Sequence, residues 1–258
     1  MDIIIFGGQS NMQGQTEGLP QENEPVAGAL EYRYLTDECI PLRHPVGEDV
    51  RPEKWIAASA GAGGSLVPDF CRAYTLTTGR EVLAVHTAKG STTLAEWLHG
   101  TQHHYWAQKK WLGAIKKAKS FGKIGHIYYV WLQGESDALI QTSEKEYFQK
   151  LIAYKNELKA EIGIEKFGII KVGYFACMAS WIEGSTEEKR AWDEAIMSAQ
   201  EHAVKEDEDF VMLTRLCTEL SQNPEHINPN AVGHYNNATM KLIGTEGGKA
   251  LADISNTK

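Results

Sequence analysis

Five short runs of almost unbroken apolar residues, spread along the whole chain, constrain its fold more than any other feature. They are Ile3–Phe6, Val82–His86, Ile127–Leu132, Ile169–Phe175 and Phe210–Leu213. A strand with one wetted face alternates apolar and polar residues, so a run without alternation must be covered on both faces. Helical stretches lie between the runs. Ser143 with Glu146 forms a capping-box pattern, followed by Tyr147, Leu151, Tyr154 and Leu158 at helical spacing. Ser185 with Glu188 repeats it ahead of Trp192, Ile196, Ala199 and Ala203. These stripes face a core. Strand–helix alternation of this kind predicts an α/β fold, a three-layer α/β/α sandwich on a five-stranded parallel, flavodoxin-like sheet. A length of 258 residues suits one domain, 1–258. The stretch from Gln13 to Ala60 is the exception. It holds Pro20, Pro25, Pro41, Pro45 and Pro52 and is expected to be irregular, wrapping over one edge of a site.

Charge narrows the partners. The formal net charge is −8, and Lys109-Lys110 and Lys116-Lys117 read as a solvated helix face. Nucleic-acid binding needs clustered cations, so that class is excluded and a neutral or weakly charged substrate is expected. No apolar stretch approaches 18 residues, which excludes a spanning helix. The N-terminus lacks a basic segment followed by an apolar one, so a cytoplasmic location is expected. Cys39, Cys71, Cys177 and Cys217 are widely spaced, without metal-ligand spacing, and read as buried reduced thiols. Asn237-Ala238-Thr239 matches a glycosylation acceptor by chance in such a chain.

Four polar segments follow strand-like runs, where a parallel sheet gathers its ligand-binding loops. Gly7-Gly8-Gln9-Ser10-Asn11-Met12 comes first. Two glycines allow a sharp turn that presents Ser10 at a strand's carboxyl end. Ser10 alone reads more readily as a helix cap; its companions make it specific. The second segment, Ala88 to Trp97, contains Gly90, whose N–H is a candidate oxyanion donor. The third is Gln133-Gly134-Glu135-Ser136-Asp137, a polar run closing an apolar strand. The fourth is Asn223-Pro224-Glu225-His226-Ile227-Asn228, which supplies a candidate general base.

Together, and in this order, the segments resemble the SGNH hydrolase superfamily, in particular its sialate O-acetylesterase and acetylxylan esterase branch. Gly8-Gln9-Ser10-Asn11-Met12 is similar to that branch's nucleophile block, Gly90 lies in its glycine block, and Gln133 to Asp137 matches its third block. Gly61-Ala62-Gly63-Gly64 with Phe70 is similar to a further family segment. The resemblance implies a carbohydrate O-acetylesterase acting on an acetylated sugar through an acyl-enzyme, with no metal or organic cofactor; the rival on the same fold is a general short-chain acyl esterase or lipase-like enzyme. It implies Ser10 as nucleophile and His226 as general base. The Ser10 and Gly90 N–H groups and the Gln133 side-chain amide would hold the oxyanion. Gln9, Asn11, Ser91 and Trp97 are the expected substrate contacts.

One departure stands out. Asn223 occupies the position three residues before His226 where the family carries Asp. Three consequences stay open: Glu135 supports the imidazole in place of that Asp, a Ser-His dyad works with help from backbone, or the protein binds sugar esters and hydrolyses them poorly. Glu225 ranks below Glu135 as a substitute. His234 reads as a surface or capping residue, and His103-His104 as a solvated helix start. Trp55, Trp97 and Trp181 fall in loop-like segments near the catalytic edge, with core packing as the default for each.

Overall fold

The computed structural model describes residues 1–48 and 63–256. Trp55, Gly61 and Ala62 therefore lie outside the described residues. In chain order come β1 (Asp2–Gly8), α1 (Ser10–Gln13), β2 (Ala29–Arg33), β3 (Glu38–Pro41), α2 (Val67–Thr78) and β4 (Val82–His86). There follow α3 (Gln102–Phe121), β5 (Ile127–Leu132), α4 (Glu135–Leu139), α5 (Glu144–Ile162) and β6 (Lys166–Ile170). The chain ends with α6 (Thr186–Glu206), β7 (Phe210–Thr214), α7 (Leu216–Leu220) and α8 (Asn237–Asn256).

Among the described residues one sheet has seven strands in the order β3-β2-β4-β1-β5-β6-β7. The apolar runs account for β4-β1-β5-β6-β7, all parallel. The expected strand count is corrected from five to seven by a β2–β3 hairpin at one edge, inside the stretch read as irregular. β2 joins β4 in parallel, and β3 returns antiparallel to it. The hairpin is hard to see in sequence because β2 carries charge into the interior. Glu31 is buried, accepts from the Gly47 N–H at 2.6 Å and pairs with Arg33 at 3.0 Å.

The expected strand Ile169–Phe175 is also shifted, since β6 spans Lys166–Ile170. Beyond Lys171 the ladder gives way to side chains: Val172 N–H donates to Gln200 Oε1 (3.0 Å) and Tyr174 N–H to Ser221 Oγ (3.0 Å). The apolar residues there enter a loop on the catalytic edge instead.

Both sheet faces are covered. Neighbouring residues of β5 show it: Tyr128 meets Tyr74 of α2, while Tyr129 packs against Trp111 of α3 and Tyr154 of α5. On the first face α8 lies close against α2. A Cβ at Gly244 would stand 2.4 Å from the Leu66 carbonyl oxygen, and one at Gly248 2.2 Å from that of Phe70. Ser185 and Glu188 form the full reciprocal capping box of α6. Ser143 caps α5 through the Glu146 N–H, but Glu146 itself turns to Lys150. Strand order reverses at β1, which lies between β4 and β5, so the crevice opens at its carboxyl end.

Candidate active site

At that point β1 ends in Gly7 and Gly8. A Cβ on Gly7 would lie 1.9 Å from the Tyr129 hydroxyl; one on Gly8, whose φ is +135°, would lie 2.0 Å from the Leu132 carbonyl oxygen. Only glycine lets the chain pass β5 this closely and turn. After Gln9, Ser10 opens α1 and is 6% exposed. Gly90 lies beside it, since a Cβ there would stand 3.4 Å from Ser10 Cβ.

Three strand-end turns are tied together beneath the serine. Lys89 N–H donates to the Gly8 carbonyl (2.9 Å) and Gln9 N–H to that of Leu132 (3.0 Å). Gln9 Oε1 accepts from Ser136 N–H (3.1 Å) and from Gln133 Nε2 (3.2 Å). Gln9, expected to touch substrate, thus pins the first turn to the third.

Gln133 is fully buried, and its amide is committed below the site. Nε2 donates to Asp137 Oδ2 (2.6 Å) and the Thr92 carbonyl (2.9 Å), while Oε1 accepts from Tyr147 Oη (2.9 Å). In this arrangement its side chain is a structural knot with no N–H turned to an oxyanion. The Gly90 N–H is also engaged, donating to Gln13 Oε1 at 2.7 Å. An oxyanion at Gly90 would have to displace that carboxamide oxygen. Ser91 is exposed on the rim in a left-handed conformation, φ +60°.

Asn11 is a strut. Its Nδ2 donates to Glu135 Oε1 (2.8 Å) and to the Gly233 carbonyl (3.2 Å). Glu135, at the start of α4, is buried, and loss of water pushes its carboxyl up to about 7. Among the described residues its Oε2 has no hydrogen-bonding side-chain partner.

The histidine loop runs between α7 and α8. His226 closes a short 3-10 turn, Pro224–His226, and its Nδ1 lies 3.0 Å from the hydroxyl of buried Thr239. That threonine, which sequence reading passed over, stands where a carboxylate was sought. Asn223 Oδ1 instead accepts from the Glu225 N–H (3.1 Å), capping the turn. His234 sits three residues before α8, not within it. Its Nδ1 lies 2.9 Å from the Val232 carbonyl oxygen, and its Nε2 is buried without a hydrogen-bond partner among the described residues. Its ring stands edge-on to Phe175 at 6.0 Å.

Other expectations change with burial. Trp97 is fully enclosed, its indole N–H donating to Thr92 Oγ1 (2.9 Å) and its ring edge-on to Trp131, so it offers no face to a sugar. Trp181 is 58% exposed. His104 is buried, with Nδ1 on the Trp97 carbonyl and Nε2 on Glu161, so the start of α3 is not solvated on that side. Lys110 is likewise buried beside Glu48. His99, His104 and Glu161 are close enough to ligate a metal, but they already form hydrogen-bonded pairs at an outer corner between α3 and α5. The cysteines are unpaired, with Cys71 and Cys217 buried and Cys39 and Cys177 half-buried. No helix among the described residues is long and apolar enough to cross a membrane. Among the described residues, a cavity of about 1140 Å³ is lined by Glu22, Asp69, Arg72 and Lys241, among others, and does not include Ser10. Chemistry, not cavity size, marks the site.

A doubly wound sheet with a serine on a glycine-sharpened turn at its carboxyl edge is the architecture of SGNH-type hydrolases. Residues 1–239 match the family described as carbohydrate esterase, sialic acid-specific acetylesterase, and the chain belongs to that family. No curated protein sequence matches it. Among solved structures, a protein of Arabidopsis thaliana superposes with a TM-score of 0.68 at 16% identity, over 100% of this chain and 98% of that one. NanS gives 0.65 at 14% identity over 100% and 98%. A carbohydrate acetylesterase from Xanthomonas citri gives 0.57 at 14% identity, over 100% of this chain and 57% of that one. At these identities the likeness is one of fold.

Proposed function

We propose that this chain removes O-acetyl groups from a carbohydrate through an acyl-enzyme on Ser10. The observation that carries the reading is Ser10 itself, set on the Gly7-Gly8 turn beside Gly90 in a member of a carbohydrate esterase family. The serine oxygen attacks the acetyl carbonyl, a histidine of the 226–234 loop takes its proton, and the sugar hydroxyl leaves with that proton. Water then releases acetate. The Ser10 and Gly90 N–H groups are the oxyanion donors, the second once Gln13 Oε1 gives way. A net charge of −8 suits an uncharged sugar such as acetylated xylan better than an anionic one such as sialic acid.

A second reading, a glycan-binding relative with weakened chemistry, is favoured by Asn223, which caps Glu225 instead of supporting an imidazole. Hydrolysis of p-nitrophenyl acetate, butyrate and octanoate, and acetate release from acetylated xylo-oligosaccharides and sialic acid, separate the two. Acetate cleavage abolished in Ser10→Ala and falling with acyl length supports the esterase. Sugar binding with no Ser10-dependent turnover supports the binding protein.

A further inference from the structure

We infer that His234 is the general base that serves Ser10, with the Val232 carbonyl standing in for the acidic member of a triad. The inference rests on the Ser10 esterase reading and assigns the histidine that reading needs.

Position comes first. Residues 226–228 and 234–236 run antiparallel around the Ile227–Tyr235 bridge, with Asn228 N–H on the His234 carbonyl (2.7 Å) and Asn236 N–H on that of His226 (3.0 Å). Side chains alternate across such a pair. Tyr235 turns into the core, its hydroxyl on the Cys217 carbonyl. His234 and Asn228 therefore share the opposite face, and Asn228 Nδ2 donates to the Gln15 carbonyl (2.7 Å), just past α1. Gly233, the residue before His234, accepts from Asn11, the residue after Ser10. The nucleophile's neighbour and the histidine's neighbour are thus joined by one hydrogen bond.

The tautomer comes second. A carbonyl oxygen only accepts, so the contact to Val232 requires the proton on Nδ1. Nε2 is then a bare lone pair, buried and without a partner among the described residues. That is the atom a serine hydroxyl must reach, in the state in which it takes a proton. Burial against Phe175 lowers the imidazole's proton affinity and keeps it neutral; the groups acting against this are the Val232 and Ala231 carbonyls. Glu135 reaches the histidine loop through Asn11, whose amide also donates to the Gly233 carbonyl. His226 differs in that its Nδ1 faces a hydroxyl, which accepts or donates equally well and leaves the tautomer open.

In the reaction the Ser10 Oγ–H proton passes to His234 Nε2 as Oγ bonds to the acetyl carbon. The carbon–oxygen bond to the sugar breaks, and Nε2 returns the proton to the sugar oxygen. In the second half Nε2 takes a proton from water, whose oxygen bonds to the acyl carbon. Ser10 Oγ leaves with that proton, and acetate departs. Nδ1–H stays on the Val232 carbonyl throughout.

The test compares His234→Ala and His226→Ala with wild type in kcat and kcat/KM on p-nitrophenyl acetate from pH 5 to 9, beside Ser10→Ala. His234→Ala is expected to lose about 10³-fold in kcat and to recover partly with added imidazole, with His226→Ala within about tenfold of wild type. A separate readout needs no variant to fold: ¹⁵N NMR of wild type should show His234 protonated at Nδ1 only at pH 7. Retained activity in His234→Ala, loss confined to His226→Ala, or a proton on Nε2 overturns the inference. Full activity in Ser10→Ala overturns the esterase reading instead.

Discussion

Asn11 and Glu135 meet at 2.8 Å in the interior, although the chain separates them by more than the whole of β4 and β5. The same amide nitrogen reaches the Gly233 carbonyl at 3.2 Å, so one side chain joins the nucleophile turn, the start of α4 and the histidine loop. Asn11→Ala leaves a buried carboxyl oxygen and a carbonyl without their donor. A loss of about 2–4 kcal/mol in stability is expected, because each orphaned group bears its own desolvation cost. Loosening the histidine loop should lower kcat by about 10²-fold. Urea denaturation and acetate-ester kinetics on the same preparation check both; a variant unchanged in either would show that the loop is held by other contacts.

Glu135 links the same strut to pH. Burial holds its carboxyl near 7 in the folded protein, against an ordinary value of 4.5. Between those two pH values the folded state keeps a proton that the unfolded chain has released, so this group's contribution to stability falls as pH rises. Above 7 both states are ionised and the contribution is flat. Glu135→Gln keeps an acceptor for Asn11 and removes the titration. Wild type should therefore lose on the order of 3 kcal/mol more than the variant between pH 4.5 and pH 7.5. Parallel stability curves for the two proteins would place the carboxyl's titration elsewhere.

The covered strands were legible because burial on both faces leaves a local mark, an unbroken apolar run. The β2–β3 hairpin was not. Glu31 and Arg33 break the run, and what makes their burial tolerable is a partner at Gly47, distant in sequence. The turn that carries Ser10 was legible because Gly7 and Gly8 stand just ahead of it in the chain. The histidine was harder, since His226 and His234 occupy one face of one bridge and differ only in what their Nδ1 atoms meet. A usable signal was present: His234 stands three residues before the last helix, behind a glycine. Gln133 and Trp97 find partners close by in sequence, in Asp137 and Thr92, but nothing along the chain says that these side chains turn to each other instead of to a ligand. The Thr92 carbonyl and Tyr147 reach Gln133 only through the fold.

The turn before Ser10 should tolerate no side chain at its second glycine. In Gly8→Ala the new methyl would fall 2.0 Å from the Leu132 carbonyl oxygen, and the backbone there lies at φ +135°. Backbone does not yield as a side-chain tip does, so β1 or β5 must shift. A loss of at least about 3 kcal/mol is expected, with Ser10 displaced. Thermal unfolding and labelling by a fluorophosphonate would report the two effects separately. Wild-type labelling in a stable Gly8→Ala protein would contradict the geometry.

The sugar-binding surface is where Trp181 matters. It is 58% exposed, its ring lies edge-on to Phe175 at 6.3 Å, and Phe175 in turn faces His234 at 6.0 Å. A large aromatic face left in water one ring away from the proposed base is placed to stack on the sugar of a bound ester, and stacking of this kind contributes about 0.5–1.5 kcal/mol. Trp181→Ala should raise KM for an acetylated xylo-oligosaccharide by about 3- to 10-fold with little change in kcat. Hydrolysis of ethyl acetate, which has no ring to stack, should be unaffected. Trp181→Phe should recover part of the loss. An equal loss on both esters would mean that the indole supports the Phe175–His234 contact instead of the substrate, and the sugar platform would have to be sought on the Ser91 rim.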